Sequence, residues 1–588
     1  MIRVHVARVA RYSSAIKEFR ESGWQPWLGR LRGLGVSMEA LERRYLFATG
    51  DLDAAFGEAG LVIHELLGDS NSIQAIVEDS QGRLVTAGYT SIPNTERAAL
   101  WVGRFLADGS VDTSFGENGN AYFDSTALAA VGNEVALQAD GRIVIAGFVQ
   151  TSTGEGPLDL GVWRFNADGS LDTTFGDEGM VRTNTAPGQE WSNALALTSD
   201  GKIVIAGTYE EIIEVAPDKW ERPVMDAMII RYNSDGSLDT TFGDDGIVRD
   251  SFDDNGYASD LHVQGDGKVV IGGGTYVEIE APVGRTASNE FVIARYNVDG
   301  SHDTTFGDDG RAMTDFGDAY GGGDATAIHV NDDGVITAVG RMIPENFTDG
   351  IQEAFIAFAR FTADGQLDDT FGAGGVKTAE GLDYVWDMTG DDDGNLILFS
   401  SRPQGYDEHG SFISGGMRNE VEVSRFAGDG SLDETFGDGG YARTEIDLGE
   451  DNGIGGINGV LGRSVILTSD GGIVAAGMVH GSGYSDGLLA RFLGEDTEPS
   501  TPTPPPTETP PEAPETPATE RNAENPSVAP PVGVVGGLDD GNPFGADDSD
   551  ESDSQSSLWS DDLLVSHVDS TGSEDPEEED TFASMEWR

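Results

Sequence analysis

The chain has no cysteine and few basic residues for its length. Its 588 residues include 35 Lys and Arg against 104 Asp and Glu, which gives a net charge of −69. The lack of cysteine excludes disulfides, thiolate metal sites and cysteine nucleophiles. The negative charge repels phosphate backbones, so we expect no nucleic-acid partner. No apolar run reaches the roughly 18 residues of a membrane-spanning helix, so no span is expected.

The sequence does contain a repeat, an Arg-Phe/Tyr dipeptide followed by an acidic turn that ends in Asp-x-x-Phe-Gly. The fullest copies read RFNADGSLDTTFGDEG from Arg164 and RYNSDGSLDTTFGDDG from Arg231. Such a fixed period determines the architecture before any single residue is considered. The dipeptide arginines are Arg104, Arg164, Arg231, Arg295, Arg360, Arg425 and Arg491. The Asp and Phe of the complete copies are Asp112, Phe115, Asp172, Phe175, Asp239, Phe242, Asp303, Phe306, Asp368, Phe371, Asp433 and Phe436.

A second signature lies between these copies: an apolar run that follows a polar-Gly turn and usually closes on Gly. It occurs seven times, as in GRIVIAG from Gly141 and GKIVIAG from Gly201. Short β-rich runs separated by Asp-Gly turns predict hairpins. We read one unit as strands near 180–184, 194–198, 203–208 and 228–232, which form a four-stranded antiparallel sheet.

These units predict an all-β fold, a seven-bladed β-propeller of four-stranded antiparallel blades. Sheets of this kind must stack to bury both faces, and seven units around an axis leave no bare end. A linear solenoid is the alternative, but it would normally have atypical capping units. The first copy, from Gly50, lacks the Arg-Phe dipeptide, and the last dipeptide, at Arg491, lacks the Asp-Phe-Gly portion. We therefore expect the two ends of the repeat region to lie side by side.

Charge and proline divide the chain into four segments. Residues 1–50 carry nine Lys or Arg against four acids and form a basic leader, whereas residues 497–588 carry two against 23. We assign the propeller to residues 51–495, a Pro/Thr/Glu-rich linker to residues 496–538 and an acidic, disordered tail to residues 539–588.

The repeat units resemble the delta-60 repeat, a bacterial repeat that is expected to form propeller blades. In addition, the segment MEALERRYLFA from Met38 is similar to the LEPR-XLL type of N-terminal sorting segment, although Arg43 replaces its Pro and Phe47 a frequent Leu. This second resemblance implies export, with an extracellular or cell-surface location. The alternative is an unstructured or misassigned leader, since residues 1–50 lack the apolar core of an ordinary secretory signal.

The repeated acidic loop permits two interpretations. Its carboxylates suggest calcium, but it lacks the ligand order and closing Glu of an EF-hand. The structural interpretation is that Asp239 accepts backbone N–H bonds in the turn and Phe242 fills the space between blades. Likewise, Arg231 and its equivalents could line an anion channel, or they could pair with acids two to four residues away in their own unit. We favour the structural interpretation of both.

Function is expected where the units differ, on the face that carries loops of variable length. Aromatic residues there could stack on sugar rings, and carboxylates could hold calcium or hydroxyl groups. The alternative is that solvated loops of so acidic a protein would carry such residues in any case. Our candidate ligand-binding residues are Trp191, Trp220, Tyr320 and Tyr384. Our candidate metal ligands are Asp253, Asp254, Asp318 and Asp324.

The predicted function is that of an exported or cell-surface binding or scaffold module for a glycan or protein. The eight histidines form no HExxH or short paired motif, and no phosphate-binding loop is present. The alternative is a glycan hydrolase or lyase that acts through two carboxylates. We predict no catalytic residues, name no cofactor other than possible calcium, and expect a monomeric propeller.

Overall fold

A computed structural model of the chain describes residues 49–494, except 67, 69, 96, 124–127, 151–157, 186–187, 214–221, 253–254, 282–283, 315, 317–319, 345–354, 380–381, 383, 392, 402–419, 447–458 and 482–483. The leader, the linker and the acidic tail therefore lie outside the described residues, apart from Thr49 and Gly50. All regular structure in the described part is β, as predicted. We find there no helix that is long and apolar enough to span a membrane.

The described residues form 28 strands, most of which follow one another as antiparallel neighbours. The first strand is β1, Leu61–His64. The next two groups are β2 to β5, Asn71–Glu78, Leu84–Ser91, Ala98–Phe105 and Asn120–Phe123, and β6 to β9, Ala129–Leu137, Ile143–Gln150, Leu158–Phe165 and Met180–Thr183. They are followed by β10 to β13, Gln189–Leu197, Ile203–Ile213, Arg222–Tyr232 and Ile247–Asp250, and by β14 to β17, Gly256–Val263, Val269–Ala281, Gly284–Tyr296 and Arg311–Thr314.

The remaining strands continue the same order. They are β18 to β21, Tyr320–Val330, Ile336–Pro344, Phe355–Phe361 and Val376–Ala379, then β22 to β25, Tyr384–Gly390, Leu396–Ser401, Glu420–Phe426 and Tyr441–Glu445, and finally β26 to β28, Gly459–Leu467, Ile473–Gly481 and Tyr484–Phe492.

The strands form five four-stranded sheets and one eight-stranded sheet. The eight-stranded sheet contains β2 to β5 and β6 to β9, which are joined by one parallel pair, Ala98 with Ala129. All other pairings between strands are antiparallel. We refer to each run of four strands as a set; the last set consists of β26, β27, β28 and β1.

The predicted boundary of the repeat unit was wrong. The strand near residue 180 was expected to open a unit, but β9 pairs with β8, with Leu160 opposite Thr183, and is the last strand of the preceding set. The Asp-Phe-Gly segment therefore connects the third and fourth strands within a sheet. The physical reason is a tight reversal: Phe242 N donates to Asp239 O at 3.0 Å and Gly246 N donates to Phe242 O at 2.7 Å. This reversal returns the chain to the strand that it has just left.

The two ends of the repeat region lie side by side, as predicted. Strand β1 pairs with β28, so the first described strand completes the sheet formed by the last three. Next to this pairing, the Asp53 carboxylate lies 3.2 Å from Arg491 Nε, and Asp53 N donates to Arg491 O at 2.9 Å. Thr49 O accepts a hydrogen bond of 2.8 Å from Gly437 N, in the preceding set.

The hydrophobic core lies between neighbouring sets. One cluster joins Leu100 and Val102 of the first set to Ile145 of the second. Another joins Trp101 and Phe105 to Val474 and Leu489, that is, the first set to the last. The sets therefore pack face to face in chain order, and the last packs against the first.

The glycine that closes the second signature has a packing role. Every first strand contains a β-bulge, and in β10 the bulge lies between Ser192 and Ala194. A Cβ on Gly207, opposite this bulge, would lie 2.0 Å from Trp191 O, so no larger residue fits without a shift of the backbone. The same close approach occurs at Gly88, Gly147, Gly273, Gly340 and Gly477.

Candidate functional site

The first strands of the sets surround a common axis. Each of β2, β6, β10, β14, β18, β22 and β26 contacts the first strand of the next set, and β2 contacts β26. Their amino-terminal ends follow the connections between sets, on the face that also carries the variable loops between second and third strands. Every first strand has a bulge at an equivalent place, and β18 has a second one between Tyr320 and Gly322. Residues can therefore be compared between sets by their position relative to the shared bulge.

Aromatic and acidic side chains occupy one such position in four consecutive sets. This position, two residues before the bulged residue, holds Trp191, Tyr257, Asp324 and Tyr384. In the other three sets it holds Ser72, Val131 and Leu461. We call the group Trp191, Tyr257, Asp324 and Tyr384 the axial mouth.

Tyr257 and Asp324 link two sets within the axial mouth. Their side chains are hydrogen-bonded, and burial raises the pKa of both groups, with the Asp324 charge raising that of Tyr257 further. Gly274 leaves room for this pair, because a Cβ there would lie 2.7 Å from the Tyr257 hydroxyl and 3.0 Å from Asp324 Cβ. The pair is therefore a fixed polar element of the mouth.

A second aromatic pair lies beside the first. The rings of Tyr384 and Trp386 have centroids 4.3 Å apart and are tilted by 52°. Arg463 Cζ lies 5.7 Å from the centroid of the Trp386 ring. Gly462 allows this packing, because a Cβ there would lie 2.4 Å from Trp386 Cδ1. Neighbouring aromatic rings beside polar groups are a surface that a sugar ring could contact.

Three carboxylates lie next along the axis, at the position that follows the bulge. They are Glu134, Asp260 and Asp387, whereas the equivalent residue is Ala75, Ala194, Ala327 or Ser464 in the other sets. Asp387 accepts hydrogen bonds from Met388 N at 2.7 Å and from Val465 N, in the next set, at 2.8 Å. Asp260 accepts equivalent bonds from Leu261 N and Ile328 N.

Burial raises the pKa of all three carboxylic acids. It raises the pKa of Asp260 to about 6 and that of Asp387, which is also close to Asp260, to about 7. The pKa of Glu134 is raised well above its ordinary value by burial and by the charges of Asp387 and Asp260. All three residues are half-buried, so part of their surface remains accessible.

We expect stability to fall as the pH rises from about 4 to about 7, because of these acids. In this range the folded protein holds protons that the unfolded chain has released, so ionisation opposes folding. A pKa difference of one corresponds to about 1.4 kcal/mol, so the change should amount to a few kcal/mol. Thermal melting of the protein and of Asp387→Ala at pH 4.5 and 7.5 measures it: the variant should lose less stability between the two pH values.

Asp140→Ala is the matched control for this experiment. Asp140 is an exposed acid in a turn, and its pKa is lowered by Arg142. This variant should keep the wild-type difference between pH 4.5 and 7.5. If Asp387→Ala kept it too, ionisation of Asp387 would not contribute to the pH dependence.

Three of the residues predicted from the sequence, Trp191, Asp324 and Tyr384, occupy the equivalent position in their first strands and so belong to the axial mouth. Tyr320 begins β18 with its backbone opposite Pro344, but its side chain lies outside the described residues. Trp220, Asp253, Asp254 and Asp318 also lie outside them.

Calcium binding stays a prediction. Within the described ranges, no three His, Cys, Asp or Glu side chains are grouped so that they could hold a metal ion. Asp324, the one candidate ligand that can be located, is hydrogen-bonded to Tyr257.

Five residues of the site were not predicted from the sequence: Glu134, Tyr257, Asp260, Trp386 and Asp387. They lie in segments such as YASDLHV from Tyr257, in which apolar and polar residues do not alternate regularly. The signal that could have found them is the alignment of the seven first strands on their bulges.

The repeated Asp-Phe-Gly segment lies on the opposite face, where it joins sets to one another. Asp239 Oδ2 accepts from Arg231 Nε at 2.7 Å and from Lys202 Nζ at 2.6 Å, and its Oδ1 accepts from Thr241 N at 3.2 Å. Phe242 is fully buried, with Arg231 Cζ 4.4 Å from its ring centroid. Arg231 Nη1 donates to Val298 O, in the next set, at 2.6 Å.

The predicted partner of the repeated arginine was therefore wrong in detail. Six of the seven arginines pair with the motif Asp eight residues later and not with an acid two to four residues away, and Arg491 pairs with Asp53, the motif Asp of the first copy, and with Asp470. The reason is the reversal between third and fourth strands, which places Asp239 N against Arg231 O at 2.9 Å. The Nε to Oδ2 bond recurs from Arg104, Arg164, Arg295, Arg360 and Arg425.

Comparison with known proteins identifies the class of fold. The family described as "Domain of unknown function (DUF5122) beta-propeller" matches residues 138–175, 226–242 and 264–306. These segments contain both repeat signatures, and the chain is a β-propeller repeat protein. No curated protein matches its sequence.

Similar solved structures share little sequence with the chain. A protein of unknown function from Dyadobacter fermentans is 10% identical, with 74% of this chain and 100% of that chain covered and a TM-score of 0.34. A catalytically inactive virginiamycin B lyase from Staphylococcus aureus, solved with quinupristin, is 9% identical, with 73% and 98% covered and a TM-score of 0.32. Drosophila Semaphorin 2a is 8% identical, with 73% and 75% covered and a TM-score of 0.36. At these TM-scores the similarities carry no argument about function.

Proposed function

We propose that the chain is an exported, seven-bladed β-propeller that binds a glycan at its axial mouth. The observation that carries the proposal is that Trp191, Tyr257, Asp324 and Tyr384 occupy one position in four consecutive first strands. Aromatic rings beside hydrogen-bonding groups on a rigid scaffold are typical of ligand sites. Export rests on the sorting-like segment from Met38 and is part of the proposal.

The blade count is supported by the strand sets and their connections. The eight-stranded sheet is held together by a single parallel pair, so it is best treated as two blades. Hydrogen bonds between sets continue across the closure: Gly437 N donates to Thr49 O, Gly57 N to Asp108 O and Gly116 N to Asp168 O. In this proposal residues 51–495 are the propeller, followed by the linker at 496–538 and the tail at 539–588.

One specific observation favours a second candidate, a glycan hydrolase or lyase. Glu134, Asp260 and Asp387 lie together along the axis, and a carboxylic acid with a raised pKa can act as a general acid near neutral pH. Binding is favoured over catalysis because Asp260 and Asp387 both use their two oxygens to accept backbone N–H bonds.

A glycan and cell-wall polysaccharide binding screen of the full chain tests the proposal. The double variant Trp191→Ala, Tyr384→Ala should weaken binding of any positive glycan about tenfold or more, because two stacking surfaces are lost. Tyr122→Ala, which changes an aromatic residue on the outer strand β5, is the control and should bind normally. Wild-type binding by the double variant would refute the site.

The same samples distinguish the second candidate. Release of new sugar ends from a positive glycan, lost in Asp387→Ala while binding persists, would establish catalysis. If no sugar ends are released, the protein is a binding module.

A further inference from the structure

Arg341 is an arginine whose buried nitrogen has no hydrogen-bond partner. It lies on β19 directly opposite Asp324 of β18. At the equivalent place in the preceding set, Gly274 lies opposite Tyr257. Its side chain is half-buried, and its Nε atom is buried without a hydrogen-bond acceptor among the described residues. In the described part of the chain, Arg341 forms no ion pair of 4 Å or less. The repeated arginines, by contrast, all pair with a motif Asp.

A second arginine, Arg463, also acts on the charge around Tyr384. Both Arg341 and Arg463 lower the pKa of the Tyr384 hydroxyl, although burial and the Asp324 charge raise it more strongly. Among the described residues, two guanidinium groups and the Asp324 carboxylate thus act on this hydroxyl.

The buried Arg341 Nε is the observation that points to an anion. A guanidinium nitrogen that loses water without gaining an acceptor destabilises the fold, so buried arginine nitrogens are normally paired. Arginine offers a planar set of N–H donors that matches a carboxylate, and the adjoining rings of Tyr384 and Trp386 lie in the neighbouring set. The nearby acids do not exclude an anion, because burial raises the pKa of Asp324, opposite Arg341, and raises that of Asp387 to about 7.

We propose that Arg341 and Arg463 bind the carboxylate of an acidic sugar, such as a uronic acid, while the aromatic residues of the axial mouth contact its ring. This inference rests on the proposed glycan-binding function and names the class of glycan. Arg341 and Arg463 are then specificity-determining residues. A neutral sugar of the same shape would leave the Arg341 guanidinium without its acceptor.

Isothermal titration of the full chain with trigalacturonate, and with its methyl ester as a neutral counterpart, tests the inference. Trigalacturonate should bind at least about tenfold more tightly than the ester, and Arg341→Met should remove that preference. Methionine keeps the apolar stem of the side chain and removes the charge. Arg142→Met, on the opposite face, is the control and should keep the preference.

The outcomes separate this inference from the proposed function. If a neutral glycan binds and is lost only in the Trp191→Ala, Tyr384→Ala variant, the glycan site stands and the acidic-sugar inference is wrong. Equal affinity for trigalacturonate and its ester, or an unchanged preference in Arg341→Met, overturns it as well. A sulfated trisaccharide that binds more tightly than trigalacturonate would replace carboxylate with sulfate and would also contradict the inference as stated.

Discussion

A chain that begins at Ser70 is expected to lose the cooperative melting transition of the propeller, whereas a chain that begins at Thr49 should keep it. The shorter chain lacks β1, the outer strand of the last set. It also lacks Phe56, which is fully buried against Trp101 and Leu489, and Asp53, which pairs with the buried Arg491. Loss of a buried Phe side chain costs about 3–5 kcal/mol, and loss of Asp53 adds a smaller cost, because Arg491 keeps its ion pair with Asp470.

The exposed edge adds a second effect. Without β1, the outer edge of the buried, apolar strand β28 is unpaired, although its other edge still pairs with β27, and such an edge is a template for aggregation. Differential scanning calorimetry and light scattering of the two chains measure both effects. The chain from Thr49 controls for loss of the leader alone.

Addition of a peptide of residues 49–66 provides a direct check of the cause. If the missing strand is responsible, the peptide should raise the melting temperature of the chain from Ser70 in proportion to its concentration. Equal melting of the two chains would show that the last set is stable with three strands, and that strand exchange does not close the ring.

Part of the fold follows directly from the sequence. The period of the Arg-Phe and Phe-Gly signatures predicts repeated four-stranded sheets, and the incomplete copies at Gly50 and Arg491 predict that the ends meet. The boundary of the unit could not be read in the same way. An Asp-Phe-Gly segment can either cross between sheets or reverse within one, and only the Phe242 and Gly246 hydrogen bonds decide between them.

The candidate site was predictable only in part. Trp191 and Tyr384 stood out because they follow variable connections, but their common position depends on the bulge in each first strand, and no residue type marks that bulge. Arg341 could not have been singled out from the sequence, because what distinguishes it is a buried Nε atom without a hydrogen-bond acceptor among the described residues. Asp387 could not have been either, since its raised pKa depends on burial beside Asp260.

The largest effect of a single substitution is expected at Asp239. Asp239→Ala should lower the free energy of unfolding by about 3–5 kcal/mol, because it leaves Arg231 and Lys202 without their common carboxylate. Arg231 is almost fully buried and also joins the next set through Val298 O, so its displacement weakens the packing between sets. Urea denaturation at pH 7, followed by tryptophan fluorescence, measures the loss.

Asp244→Ala is the matched control, because it removes the same charge from an exposed position in the same turn. Its effect should stay within about 0.5 kcal/mol. The Asp239 effect should also shrink below pH 4: hydrogen bonds from Thr241, Lys202 and Arg231 outweigh burial and hold the pKa of this carboxyl well below its usual range. Its stabilising contribution is thus complete above about pH 4 and is lost as the pH falls further. A penalty equal to that of Asp244→Ala would mean that the repeated Asp does not hold the sets together, and that its seven-fold recurrence needs another cause.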